Sequence, residues 1–147
     1  MTPTLRAHFA DYAAFHGTAG NKACHYVGIP LIVLAILALL ARVPLFAAGG
    51  FTVTLAEVAL VGVTAYYLTL DAILAVIMLA ASVGLLMLGR PLPVWVSAAL
   101  FVLGWIFQFI GHSVYEHKQP AFFRNFVHLL VGPLWILNDI VPVVKRA

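Results

Sequence analysis

Three stretches of this chain run without a charged side chain for lengths that match a lipid bilayer. Residues 23–41 separate Lys22 from Arg42 and number 19. Residues 72–89 separate Asp71 from Arg90 and number 18. Residues 91–115 lie between Arg90 and Glu116 and number 25. Wound as α-helices they would be about 27–38 Å long, against a hydrocarbon core about 30 Å thick. Hydrophobic residues make up 64% of the 147-residue chain and charged residues only 9%, with a mean hydropathy of +1.07. A water-soluble domain carries about a quarter charged residues. Too little charge remains to cover a soluble surface, so an integral membrane protein is expected. The net charge is +3 and the basic residues are scattered, which excludes a nucleic-acid footprint. Cys24 is the sole cysteine, so no intrachain disulfide can form.

The expected fold is all-α, a single membrane domain over residues 1–147. It should contain about four transmembrane helices, an N-terminal amphipathic helix and a short C-terminal hydrophobic segment. The fourth span is residues 51–67, despite Glu57, which is costly in lipid and should face protein or the interface. Tyr66 and Tyr67 would sit in the aromatic belt. The turn at "YLTLD" is tight, so this span and the next form a hairpin. Pro91 and Pro93 suit a helix start. Residues 125–138 are charge-free but only 14 long and are broken by Gly132-Pro133, which suits a re-entrant or interfacial segment better than a span. Arg6 is followed by "AHFADYAAFHG", which is no apolar signal region. The first long apolar run should therefore act as an uncleaved anchor.

With four spans, Arg6, Lys22, Lys118 and Arg124 share one side, joined by Lys145 and Arg146 if the tail does not cross. Arg42 and Arg90 lie on the other. The basic excess assigns both termini to the cytoplasm, in a bacterial inner membrane or the endoplasmic reticulum.

Four crossings also bring the polar residues together. His8, Tyr12 and His16 repeat every four residues before the first span. Asn21 is a plausible N-cap of the helix that carries His25. His112 and Glu116 lie one α-helical turn apart at the end of the last span, and His128 opens the tail. All fall at one membrane face, and nothing in local helix chemistry requires that. Taken singly, each has a plainer role. His8 and His117 read as surface residues, Asn21 as a cap, and His128 as an anchor at headgroup depth. Together, neutral imidazoles and one carboxylate suit Fe(II), Zn(II) or Mn(II), and spacing does not choose among them. Two histidines and one carboxylate would leave open positions for substrate and dioxygen.

The segments "DYAAFHGTAGNKACHYVGIPL" and "GWIFQFIGHSVYEHKQPA" resemble the fungal 2-hydroxy fatty acid dioxygenase family, which has many bacterial relatives. The matching positions are His16, Asn21, His25, Gly28 and Pro30, then Gln108, Phe109, Gly111, His112, Glu116, Pro120 and Ala121. The tail "GPLWILND", ending in Asp139, resembles the family's closing segment. The resemblance implies a membrane Fe(2+) enzyme that uses dioxygen to shorten a 2-hydroxy fatty acid by one carbon. It implies His16, His25 and His112 as metal ligands. Glu116 is then a carboxylate ligand or an acceptor that fixes an imidazole tautomer. Asn21 is expected to orient a ligand or the substrate carboxylate. Lys22 and Lys118 are expected to attract the anionic headgroup, or simply to obey the positive-inside rule. Two other classes stay open. A small transporter would use Glu57 and Asp71 in a polar path, and a membrane scaffold would need no chemistry.

Overall fold

The computed structural model describes residues 1–120, 122 and 125–143. Ala121, Arg124, Lys145 and Arg146 lie outside the described residues. The described residues form six α-helices, one two-stranded hairpin and one π-helical turn. Helix α1 (Pro3–Ala13) starts at the N-cap Thr2, whose side chain accepts from Leu5 N–H at 3.2 Å. Helix α2 (Ala19–Leu40) follows a short loop that carries His16. Its N-cap is Thr18, whose extended backbone lets the hydroxyl accept from Asn21 N–H at 3.3 Å. The expected cap, Asn21, is therefore already inside the helix, which frees its side chain for other partners.

The segment expected to open the second span is partly strand. Strands β1 (Pro44–Ala48) and β2 (Phe51–Thr54) pair antiparallel across Gly49-Gly50, both at positive φ. Glycine takes such φ values without steric cost. Helix α3 then runs over Leu55–Leu70, only 16 residues. Glu57 needs no polar path through the membrane. It completes a capping box with Thr54 at the start of α3 and pairs with Arg90. Asp71 is likewise spoken for. It ends α3 and caps α4 (Ala72–Gly89), accepting from Ile73 and Leu74 N–H at 3.1 Å. One residue between two helices gives the tight hairpin expected from "YLTLD". With both carboxylates used as caps, the residues proposed for a transporter path are accounted for structurally.

Pro91 and Pro93 precede α5 (Val94–Ile110), which begins one residue after Pro93. The helix then passes into a π-helical turn, Gly111–Glu116. Its end is marked by His117 in the left-handed region, φ 52°. Helix α6 (Val127–Ile140) is the 14-residue tail segment, with Pro133 inside it. Among the described residues, three helices are long and apolar enough to cross a membrane: α2, α4, and α5 with its π-turn. Helix α3 falls short of that length at about 24 Å.

Two contacts fix the direction of the helices. The Arg42 guanidinium donates to Leu92 O, so the end of α2 meets the start of α5. Thr2 N–H donates to Leu70 O at 3.3 Å, so the end of α3 meets α1. The chain thus runs back and forth along α2, α3, α4 and α5, with α1 and α6 packed at the end where α2 begins. Leu5, Tyr12, Leu74, Leu134 and Trp135 form the buried core there. Large apolar side chains such as Val61, Met87 and Trp95 are more than two-thirds exposed, as suits a surface facing hydrocarbon.

Helices α2 and α5 pack at glycine. A Cβ on Gly28 would lie 2.8 Å from Gly104 O, and one on Gly104 would lie 2.8 Å from Gly28 O. Small residues at such crossings let membrane helices approach backbone to backbone. At Gly111 a Cβ would meet Asn21 Oδ1 at 2.6 Å and His25 Nδ1 at 3.3 Å. Glycine there lets the π-turn sit directly against the start of α2, where His25 is.

Candidate metal centre

Three histidines from three chain segments meet in the interior. His16 comes from the α1–α2 loop, His25 from the second turn of α2, and His112 from the π-turn after α5. They are 3%, 1% and 2% exposed. One nitrogen from each lies within 4.8 Å of the others. The ring centroids are 4.4 Å apart for His16–His25, 4.8 Å for His16–His112 and 4.9 Å for His25–His112.

Backbone carbonyls fix the tautomers of two of them. His16 Nδ1 lies 2.6 Å from Tyr12 O, and His25 Nδ1 lies 2.9 Å from Asn21 O. A carbonyl only accepts, so each Nδ1 carries the proton and each neutral ring presents a lone pair at Nε2. Those two Nε2 atoms face each other at 3.0 Å. Two lone pairs at that distance repel unless a cation lies between them. Burial, and then the neighbouring His25, depress the His16 pKa to about 3, so the cation is not a proton at ordinary pH. His112 Nδ1 is buried and has no hydrogen-bond partner among the described residues. The donor set therefore fits a metal: three neutral imidazoles, two of them oriented by backbone acceptors.

Tyr12 stacks on His16, ring to ring at 3.9 Å and 4°. Burial raises its pKa, so the phenol stays neutral beside the cluster. Below the histidines opens an apolar cavity of about 190 Å³ between α2, α5 and α6, with Ile29, Phe101, Trp105 and Leu129 in its walls.

Glu116 lies beside the cluster and is not one of its members. The expectation made it a metal ligand or an acceptor for an imidazole. Instead its Oε1 accepts from Gly17 N–H at 3.1 Å. Its Oε2 accepts from Thr18 N–H at 3.1 Å, Thr18 Oγ1 at 3.0 Å and Asn21 Nδ2 at 3.2 Å. His112 and Glu116 both face the start of α2, where His112 meets the other two imidazoles and Glu116 meets the loop before the helix. Glu116 holds the loop that carries His16, and does so with charge-assisted bonds. Asn21 serves the same clasp, donating to Phe15 O at 3.0 Å as well as to Glu116.

The lysines do not line the cavity. The Lys22 ammonium sits 5.6 Å over the Trp135 ring. Lys118, half-exposed, donates to Ala14 O at 3.1 Å and lies 3.6 Å from Glu116. Lys118 braces the clasp, and Lys22 packs against α6. His8 and His117 are outside the cluster, while His128 is buried and bonds Asp11 Oδ2 at 2.7 Å. That pair ties α6 to α1 at the cavity wall. Asp11 and His128 are 117 residues apart, so their meeting had no local signature.

Such an arrangement defines a class: a helical protein with membrane-length apolar helices and a buried tri-histidine cluster at the head of an apolar cavity. The chain belongs to the Mpo1-like family, whose model, described as 2-hydroxy-palmitic acid dioxygenase Mpo1-like, matches residues 2–142. It is similar to the 2-hydroxy-palmitic acid dioxygenase MPO1 of Saccharomyces cerevisiae, 29% identical over 136 residues. That alignment covers 92% of this chain and 78% of the yeast protein. No solved structure matches the chain.

Proposed function

We propose that the protein is a membrane Fe(II) dioxygenase that shortens 2-hydroxy fatty acids by one carbon. The observation that carries this reading is the pair of opposed imidazole lone pairs of His16 and His25, joined by His112, at the head of an apolar cavity. The activity named for the yeast relative supports it. Imidazole suits several first-row metals, and the oxidation of a 2-hydroxy acid by dioxygen selects a redox-active one.

His16, His25 and His112 would hold the ion. When bound, Fe(II) supplies a Lewis-acid site for the substrate's oxygens and the redox chemistry that dioxygen requires. The protein does the rest. The Tyr12 and Asn21 carbonyls keep each Nδ1 protonated and so keep the Nε2 lone pairs available. Tyr12 and Trp135 pack against His16 and exclude water from one side of the cluster. The walls from α2, α5 and α6 accept alkyl carbons, each contributing about 0.8 kcal/mol on burial.

The reaction balances without a further co-substrate: a 2-hydroxy acid and dioxygen give the acid one carbon shorter, carbon dioxide and water. Arg6, Lys22 and Lys118 lie at the cluster's end of the bundle, and the positive-inside rule makes that end cytoplasmic. The carboxylate head would reach the metal at interfacial depth while its chain stays in the hydrocarbon.

The test is product and gas analysis on purified protein. Incubation with 2-hydroxypalmitic acid should consume one dioxygen per shortened acid released, with no added 2-oxoglutarate. An absolute requirement for 2-oxoglutarate would overturn the reaction as written.

A further inference from the structure

The cavity below the histidines does not end the apolar space. A second cavity, about 170 Å³, lies deeper between α2, α3, α4 and α6. The two share four wall residues: Val33, Ile36, Leu129 and Pro133. One stripe of α2 lines both. Ile29 belongs to the upper cavity, Val33 and Ile36 to both, and Leu40 to the lower. The spacing i, i+4, i+7, i+11 keeps these side chains on one helix face.

The two cavities differ in chemistry. The upper one has the imidazoles at its head. The lower one carries only two polar side chains in its wall, Tyr67 and Ser82, and the Tyr67 hydroxyl is already used, donating to Leu130 O at 2.5 Å. A polar head finds no charged partner among these wall residues, whereas a hydrocarbon chain finds apolar side chains to pack against. From His25 to Leu40 the wall extends about 22 Å along the α2 axis. An extended alkyl chain built of about 1.5 Å bonds advances about 1.3 Å per carbon, so the wall matches about seventeen carbons.

We propose that the lower cavity is a binding subsite for the distal half of the substrate's alkyl chain, and that it sets the enzyme's preference for long chains. The inference rests on the proposed 2-hydroxy acid activity. Ala59 on α3 lines the lower cavity alone and touches none of the metal-site machinery. A larger side chain there shortens the channel without altering the head.

Ala59→Phe should be compared with the wild type in competition between 2-hydroxypalmitic and 2-hydroxyoctanoic acid. Each methylene kept out of the cavity costs about fourfold in binding. The preference for the long acid should therefore fall about tenfold or more, while turnover of the short acid is unchanged. The milder Ala59→Leu should shift the same ratio by less, and it decides the question where Phe disrupts the fold. An unchanged ratio, with both acids still turned over, overturns the subsite and leaves the cavity to bilayer lipid. A wild type that turns over neither acid overturns the activity on which the inference rests.

Discussion

Glu116 accepts a hydrogen bond from the backbone N–H of Gly17 at 3.1 Å, across 99 residues of sequence. With the three bonds to Thr18 and Asn21, it makes the end of α5 hold the loop from which His16 enters the cluster. Glu116→Gln keeps the shape, removes the charge and turns an amide N–H₂ toward a loop that offers donors. Groups that orient metal ligands typically govern affinity by about 10–100-fold. The variant should lose metal affinity in that range, read by chelator competition, with helicity retained. Wild-type affinity in Glu116→Gln would remove Glu116 from any role at the site.

The crossing of α2 and α5 makes a sharp prediction about glycine. Gly104→Ala places a methyl 2.8 Å from Gly28 O and 2.6 Å from Ile32 Cγ1. Overpacking of this kind costs about 1–3 kcal/mol. A Cβ at Gly62 or Gly84 meets nothing within 4 Å, so Gly62→Ala and Gly84→Ala should be neutral or stabilising by up to about 1 kcal/mol. Thermal unfolding in one detergent should order the variants accordingly. Equal melting of Gly104→Ala and Gly62→Ala would mean that the helices do not cross where the structure places them.

The number of crossings can be read chemically. Single cysteines at Ala19, Gln119 and Leu45, each exposed, are introduced in a Cys24→Ser background. In sealed vesicles of native orientation, an impermeant thiol reagent should reach Leu45→Cys from outside. It should reach the other two only after the cytoplasmic face is opened. Labelling of Ala19→Cys and Gln119→Cys from opposite sides would refute the shared face of the two ends.

Much of this was visible in the sequence. The charge-free runs mark α2, α4 and α5, and the expectation that His16, His25 and His112 share one end agrees with the cluster they form. Helical spacing pairs His112 with Glu116 but does not say what lies opposite each: His112 meets the imidazoles, and Glu116 the backbone N–H groups of Gly17 and Thr18. Thr18 and Asn21 are both good N-caps by type, and only the backbone shows that Thr18 has the extended conformation a cap needs. Strand β2 was hidden because Phe51 and Val53 read as the start of an apolar span. Asp11–His128 and Gly28–Gly104 are contacts between distant segments, set by packing rather than by local pattern.

The central claim is that His16, His25 and His112 hold one metal ion, and iron content measures it most directly. Protein purified without oxygen should carry about one Fe(II) per chain. His112→Ala should lose it while keeping its helicity, and His117→Ala, exposed and outside the cluster, should keep it. Full iron in His112→Ala, or equal loss in His117→Ala, would contradict the account.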